Sequence, residues 1–429
     1  MNKLKKLKLN YILLIIISLL PILMILTNLV NINSPKINDY TPFFIIIYFS
    51  IITLMYRFIF RFRQIKLPKF LIIAIILFMF SSFLSCVLSE YPSFSIFGNG
   101  YFYGYVGYIC FLGIFISAFL LEKKLKDKLI KILIIISTII AIITLIRTDL
   151  TYTLFNMNRN AEYYFYQGNF YHFNHYGYYL LITSLLSVYL FLKNEKYKKI
   201  FYLITSIILI FTLIINDTFS VYLAFILGII FMSIYYLKVK KNKNILLIIL
   251  IFIVFSIIIN RDGVYLVKRN FNELIGDLNS ATTLKEDNLD KIATNRGELW
   301  KYAIIFFKQK PILGYGVDNV RINYYNNNIP FDKPHNFILE LLTSTGIIGT
   351  VLFLFILFII IFNSLKKLFK LNDLEFISLI ICICYLTSAL FSNSRIYTAP
   401  YFYIFLGFTA QKLVKDKLND WIINNNSNI

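Results

Sequence analysis

The chain has few residues able to do chemistry, and they are unevenly placed. Only three histidines occur, His172, His175 and His335. An imidazole that titrates near neutrality suits general-base work on a hydroxyl. For each of them the plain alternative is a satisfied histidine at a helix mouth. Arg296 stands in the same long polar segment as His335. A guanidinium keeps its charge and binds phosphate oxygens in pairs, so it could hold a diphosphate and meet the charge that develops as it leaves. Its plain alternative is a solvated or ion-paired surface arginine. Glu340 follows His335 about one turn into an apolar block, where a carboxylate is expensive. On a helix it shares a face with Asn336, at i, i+4. It could orient Asn336 or His335, pair with an arginine, or line a wet vestibule. Glu298 reads as an acid in a helix's first turn.

Several chemistries have no motif. There is no G-x-x-x-x-G-K-[ST] run for a nucleoside triphosphate, and Gly98-Asn-Gly100-Tyr-Phe-Tyr-Gly104 lacks dinucleotide-binding spacing. No H-E-x-x-H run or paired His/Cys cluster suggests a metal, so neither metal nor cofactor is expected. The four cysteines, Cys86, Cys110, Cys382 and Cys384, lie in or beside apolar blocks without zinc-ligand spacing. They read as small buried residues.

The elements that must position these groups are membrane helices. The chain is 58% hydrophobic and only 15% charged, with a mean hydropathy of +0.70. Its apolar residues fall in blocks of the roughly 20 residues needed to cross a bilayer. About twelve such segments can be placed, and backbone in lipid must satisfy its own hydrogen bonds, so all are expected to be helices. They are 11–31, 41–60, 70–89, 103–121, 129–147, 174–192, 200–216, 219–237, 244–260, 336–362, 374–392 and 398–413. The first resembles a signal peptide, but no small-residue cleavage site follows, so it is expected to stay as a span. The expected fold is therefore an all-α polytopic transmembrane bundle. Residues 1–260 form its first nine helices, 261–335 a large loop capping the active site, 336–413 the last three helices and 414–429 a tail.

The net charge of +21 does not point to nucleic acid, because the basic residues cluster in alternate short loops. Examples are Arg61, Arg63, Lys66 and Lys69, and Lys238, Lys240, Lys241 and Lys243. Under the positive-inside rule those loops and both termini face the cytoplasm of a multi-pass protein of the cytoplasmic membrane. The polar residues, including all three histidines, then gather on the outer face. That face carries three notable loops, 90–102, 148–173 and 261–335; the last is long enough to be functional or folded. Within it, Thr294 or Asn295 precedes an amphipathic segment running from Arg296 to Lys310, ended by Pro311 and a turn at Gly314-Tyr-Gly316. That helix is expected either at the membrane surface or packed on the cap. The outer tyrosines, Tyr101, Tyr103, Tyr163, Tyr164, Tyr166 and Tyr171, suit sugar stacking, though tyrosine is also common at membrane interfaces.

Thr294-Asn-Arg296-Gly-Glu-Leu-Trp300, then Lys310-Pro-Ile-Leu-Gly-Tyr-Gly316, then Pro334-His-Asn-Phe-Ile-Leu-Glu340 and Thr345-Gly-Ile-Ile-Gly349 resembles the O-antigen ligase and polymerase superfamily, in that family's order. Upstream, Gly168-Asn-Phe170 and His172-Phe-Asn174 resemble the family's Gly-x-Phe and Asn-Pro-Asn segment, with His172 and Phe173 departing from it. Asn216-Asp-Thr-Phe219 matches a segment where many members carry an arginine after the Ser or Thr. Phe219 replaces it, and Arg147 or Arg159 is then a candidate substitute. The resemblance implies a metal-independent membrane glycosyltransferase acting outside the cytoplasmic membrane. Its donor would be a glycan on a polyprenyl diphosphate and its acceptor a hydroxyl of a glycan, lipid or protein. His335 would be the base and Arg296 the diphosphate ligand, with Asn336, Glu340, Asn174, His172 and Arg159 as substrate-binding candidates. Polymerase and ligase differ only in acceptor, which the sequence does not name. The competing class is a transporter or flippase of lipid-linked glycan. It predicts intramembrane charges and repeat symmetry near the midplane, whereas the polar features here cluster on one face.

Overall fold

The computed structural model describes residues 2–33, 41–61, 65–98, 103–146, 167–170, 172–261, 264–265, 268, 272, 275–276, 296–329, 331–392 and 397–426. Arg147, Arg159, Thr294 and Asn295 lie outside these residues, as does most of the 148–173 loop.

Each apolar segment read from the sequence falls on a helix. The first half of the chain forms α1 (Asn2–Ser18), α2 (Leu20–Asn33), α3 (Thr41–Arg61), α4 (Lys69–Val87), the short α5 (Pro92–Phe97), α6 (Tyr105–Phe119) and α7 (Lys123–Ile146). Then come α8 (Phe173–Lys193), α9 (Lys196–Asn216), α10 (Phe219–Lys238), α11 (Ile245–Ile258) and a minimal hairpin, β1 (Asn260–Arg261) with β2 (Val264–Tyr265). The remainder is α12 (Gly297–Gln309), α13 (Val320–Asn326), α14 (Phe337–Leu365), α15 (Asp373–Ala389) and α16 (Ala399–Asn426). Among the described residues seven helices are long and apolar enough to cross a membrane, or eight if the bent α1–α2 pair is one span; α6 and α11 are shorter apolar helices. The chain is an integral membrane protein.

Two expected single spans are broken. The first bends by 59° between Ser18 and Leu20. Proline at 21 cannot donate to the Ile17 carbonyl. That carbonyl instead accepts the Tyr401 hydroxyl at 3.1 Å, and the Pro21 carbonyl accepts Asn169 Nδ2 at 2.5 Å. The second break lies in α14 at Gly346, with φ +65 and ψ −169.

The centre of the bundle is α8, whose membrane-length window is wholly buried. It carries hydroxyls that helices meeting in lipid use as glue. Ser187 Oγ lies 2.7 Å from Thr205 Oγ1 and 2.9 Å from Ser206 Oγ on α9. Outer helices instead expose apolar stripes, such as Ile73, Ile76, Leu77 and Phe80 on α4, the surface lipid would cover. All four cysteines are buried free thiols, as the sequence suggests.

Residues 296–336 build a small unit with its own core. Leu299, Phe306, Tyr315, Val320, Tyr324 and Ile329 cluster there, apart from the main core. The α12 helix thus packs on this cap through Leu299, Ala303 and Phe306, while Ile304 and Ile305 remain exposed.

Candidate active site

The cap is fastened to the bundle where α14 breaks. The turn Pro311–Gly316 enters the break, and backbone groups pair across it. Tyr315 N donates to Thr343 O at 2.8 Å, Gly316 N to Ser344 O at 2.9 Å and Ile347 N to Pro311 O at 2.8 Å. A continuous helix would have used those groups internally. Ser85 Oγ also reaches Ser344 O at 2.7 Å, and Ser95 Oγ reaches Val317 O at 2.9 Å, so α4 and α5 hold the same joint. Glycine is required at 346, because a Cβ there would stand 2.2 Å from the Ile312 carbonyl oxygen. The two glycine-containing stretches therefore form one interlock.

From that interlock the chain runs through α13 to His335. His335 is held at φ +53, a left-handed conformation uncommon outside glycine but one that histidine, like asparagine and aspartate, enters more readily than most side chains. Constraints stand on both sides of it. Trp300 Nε1 donates to the Pro334 carbonyl at 3.0 Å. Asn336 caps α14, its Oδ1 accepting from Ile338 N at 3.0 Å and Leu339 N at 3.1 Å. The edge of the Phe331 ring meets His335 with centroids 6.1 Å apart.

Arg296 opens α12, and Trp300 N closes onto its carbonyl at 3.0 Å. The turn that carries Arg296 is thus the turn whose indole grips the residue before His335. Arg296 itself donates to the Phe391 carbonyl just beyond α15. It also lies within electrostatic reach of Tyr178 on α8. Arginine and histidine both stand on the cap, joined by the Trp300 bond.

The other candidates separate. Asn336 spends its side-chain oxygen on the helix cap. His172 caps α8, with Nδ1 accepting from Asn174 N at 3.1 Å. Its ring stacks on Phe173 with centroids 4.4 Å apart, and His175 stacks on Tyr397 at 5.0 Å. Asn174 is buried in the first turn of α8.

Glu340 pairs with a residue that sequence reasoning passed over. Lys333 Nζ lies 2.5 Å from Glu340 Oε1, 3.5 Å from Asp318 Oδ1 and 4.1 Å from the centre of the Tyr103 ring. Lys333 is 2% exposed. The signal was available: a carboxylate that expensive calls for a cation, and Lys333 precedes Pro334-His335 directly. The Tyr324 phenol, bonded to Leu299 O at 2.9 Å, is pushed up by burial first and by the Glu340 charge second.

Beside Glu340 a cavity of about 50 Å³ opens among Tyr103, Tyr108, Phe337, Tyr385 and Tyr403. It shares Tyr108, Phe353 and Tyr403 with a second apolar cavity of about 50 Å³. That one shares Ile75, Met79 and Leu112 with a third of about 250 Å³, which reaches Ile65 and Leu67 at the opposite end of α4. Three cavities with shared walls therefore lie in a row along α4 and α6, the first of them beside Glu340.

An integral membrane bundle with an arginine and a histidine on a cap is the class that fold and site define. The family model for O-antigen ligase matches residues 204–354. Over that stretch, which holds Arg296, His335 and the α14 break, the chain is similar to the O-antigen ligase family. No curated protein matches the chain.

Proposed function

We propose that this chain is a glycosyltransferase of cell-surface polysaccharide assembly, capsule or exopolysaccharide included, which moves a glycan from a polyprenyl-diphosphate carrier to an acceptor hydroxyl. The observation that carries the reading is the bond from Trp300 to the Pro334 carbonyl. It seats the Arg296 turn against the His335 turn, two residues before Phe337, which lines the cavity beside Glu340.

In this reaction His335 takes the proton of the acceptor hydroxyl. The freed oxygen attacks the anomeric carbon as that carbon's bond to the carrier oxygen breaks. The electron pair leaves with the diphosphate, and Arg296 meets the added charge. No nucleotide is spent, because the lipid diphosphate is the leaving group. The tail would enter between helices, the diphosphate at headgroup depth on the extracytoplasmic side.

The test is turnover in lipid nanodiscs with a polyprenyl-diphosphate oligosaccharide and EDTA present. Release of polyprenyl diphosphate should accompany growth of the glycan. His335→Ala and Arg296→Ala should each lower turnover by roughly a hundredfold or more while the protein stays folded. Ladders of product mark a polymerase and single additions a ligase. Intact passage of lipid-linked glycan across the bilayer without release of polyprenyl diphosphate would overturn the reading in favour of a transporter, and full activity of both variants would overturn the assignment of His335 and Arg296.

A further inference from the structure

The Asp318–Lys333–Glu340 cluster is the most deeply buried group of charges near His335. Side-chain exposures are 2% for Lys333, 4% for Asp318 and 12% for Glu340. Its members come from three separate places. Asp318 lies just past Gly316, on the turn seated in the α14 break. Glu340 is in the first turn of α14, its N–H bonded to Asn336 O at 2.9 Å. Lys333 is two residues before His335, on the connection between cap and helix. Tyr103, at the entry to α6, closes the cluster with its ring face.

Two chemical roles fit this arrangement poorly. Lys333 could stand in for the arginine that Phe219 replaces, but a diphosphate would then compete with two carboxylates for a buried ammonium. Glu340 could be a base, but its carboxylate is already engaged by a buried ammonium at 2.5 Å. A mechanical role fits better. Asp318 and Glu340 both belong to the interlocked frame, whereas His335 hangs on the connection between them with its backbone at a left-handed φ of +53. Lys333 binds that connection to the frame at two points.

We infer that Lys333, through Glu340 and Asp318, is a positioning residue that fixes the His335 backbone for proton transfer. The inference rests on the reading of His335 as the base. Removing a positioning residue lowers the chemical step and spares binding.

The experiment measures kcat and KM for donor and acceptor with the reconstituted protein, for Lys333→Met, Glu340→Gln, their combination, and Lys333→Met added to His335→Ala. Each single variant should lose about tenfold or more in kcat with KM within about twofold, and the combination should lose no more than the worse single variant. On the His335→Ala background, Lys333→Met should cost nothing further. If Lys333→Met fails to fold, the triple change Asp318→Asn, Lys333→Met and Glu340→Gln removes all three charges together, which leaves none unpaired. The same kcat loss is expected of it. A rise in donor KM with unchanged kcat, multiplying losses, or a further loss on the His335→Ala background would each overturn the positioning role. Full activity of His335→Ala sinks the base assignment instead, whereas a dead His335→Ala beside an unimpaired Lys333→Met sinks only the present inference.

Discussion

Replacing Gly346 by alanine tests whether the cap and the broken helix are one mechanical unit. The added methyl would stand 2.2 Å from the Ile312 carbonyl oxygen and 2.6 Å from Leu313 N. Both are backbone atoms, so no side chain can swing away to make room. The conformation, φ +65 and ψ −169, is also one that essentially only glycine adopts, at a cost to other residues of about 1–3 kcal/mol. Relief requires the Pro311–Gly316 turn to withdraw, which breaks the backbone bonds at Tyr315, Gly316 and Ile347. At about 1 kcal/mol each, these bring the local loss to about 4–6 kcal/mol. That is a shift of roughly a thousand- to ten-thousand-fold in the opening equilibrium of the joint, at 1.4 kcal/mol per tenfold. Hydrogen–deuterium exchange in nanodiscs reads it directly, as lost protection of the amides of Tyr315, Gly316 and Ile347. Gly276→Ala is the control, since a Cβ there meets nothing within 4 Å. Unchanged protection at all three amides in Gly346→Ala would refute the interlock and everything argued from it about the seat of His335.

Two further outcomes follow from the bonds around the site. Trp300→Phe keeps an aromatic ring and loses the donor to the Pro334 carbonyl; kcat should fall about fivefold to tenfold, for about 1 kcal/mol of lost restraint, with donor KM unchanged in steady-state assays. His172→Ala removes the α8 cap bond and should cost about 1 kcal/mol of stability in thermal unfolding, with turnover essentially retained; loss of turnover would make His172 more than a cap.

The helices were legible because lipid leaves the chain little choice: a long apolar block must form its hydrogen bonds internally. Asn336 was half legible. Its residue type before an apolar run is a capping signature, while the family resemblance put it among the substrate-binding candidates. The breaks were not legible, because proline and glycine are tolerated inside membrane helices when remote groups take up the freed backbone atoms. Here those groups come from Tyr401 and Asn169 in one case and from Pro311–Gly316 in the other. Lys333 escaped notice for a related reason. A lone lysine in a polar loop reads as solvated, and its burial depends on Asp318, Glu340 and Tyr103 arriving from three other segments. The arginine–histidine pair could be proposed from order along the chain, whereas the indole that joins them could be found only in three dimensions.

The bend between α1 and α2 bears on how the protein is made. A membrane chain enters the bilayer as it is synthesised, so the first helix must wait in lipid for its partners. The Ile17 carbonyl, released by Pro21, is satisfied by a tyrosine hydroxyl 384 residues further on. Until α16 arrives, a bare acceptor sits in an apolar medium, where an unmet backbone group costs several kcal/mol. The first helix therefore gains this partner only when the last one joins the bundle. A protein cut short before α16 would lack the hydroxyl that meets the Ile17 carbonyl at its opening bend.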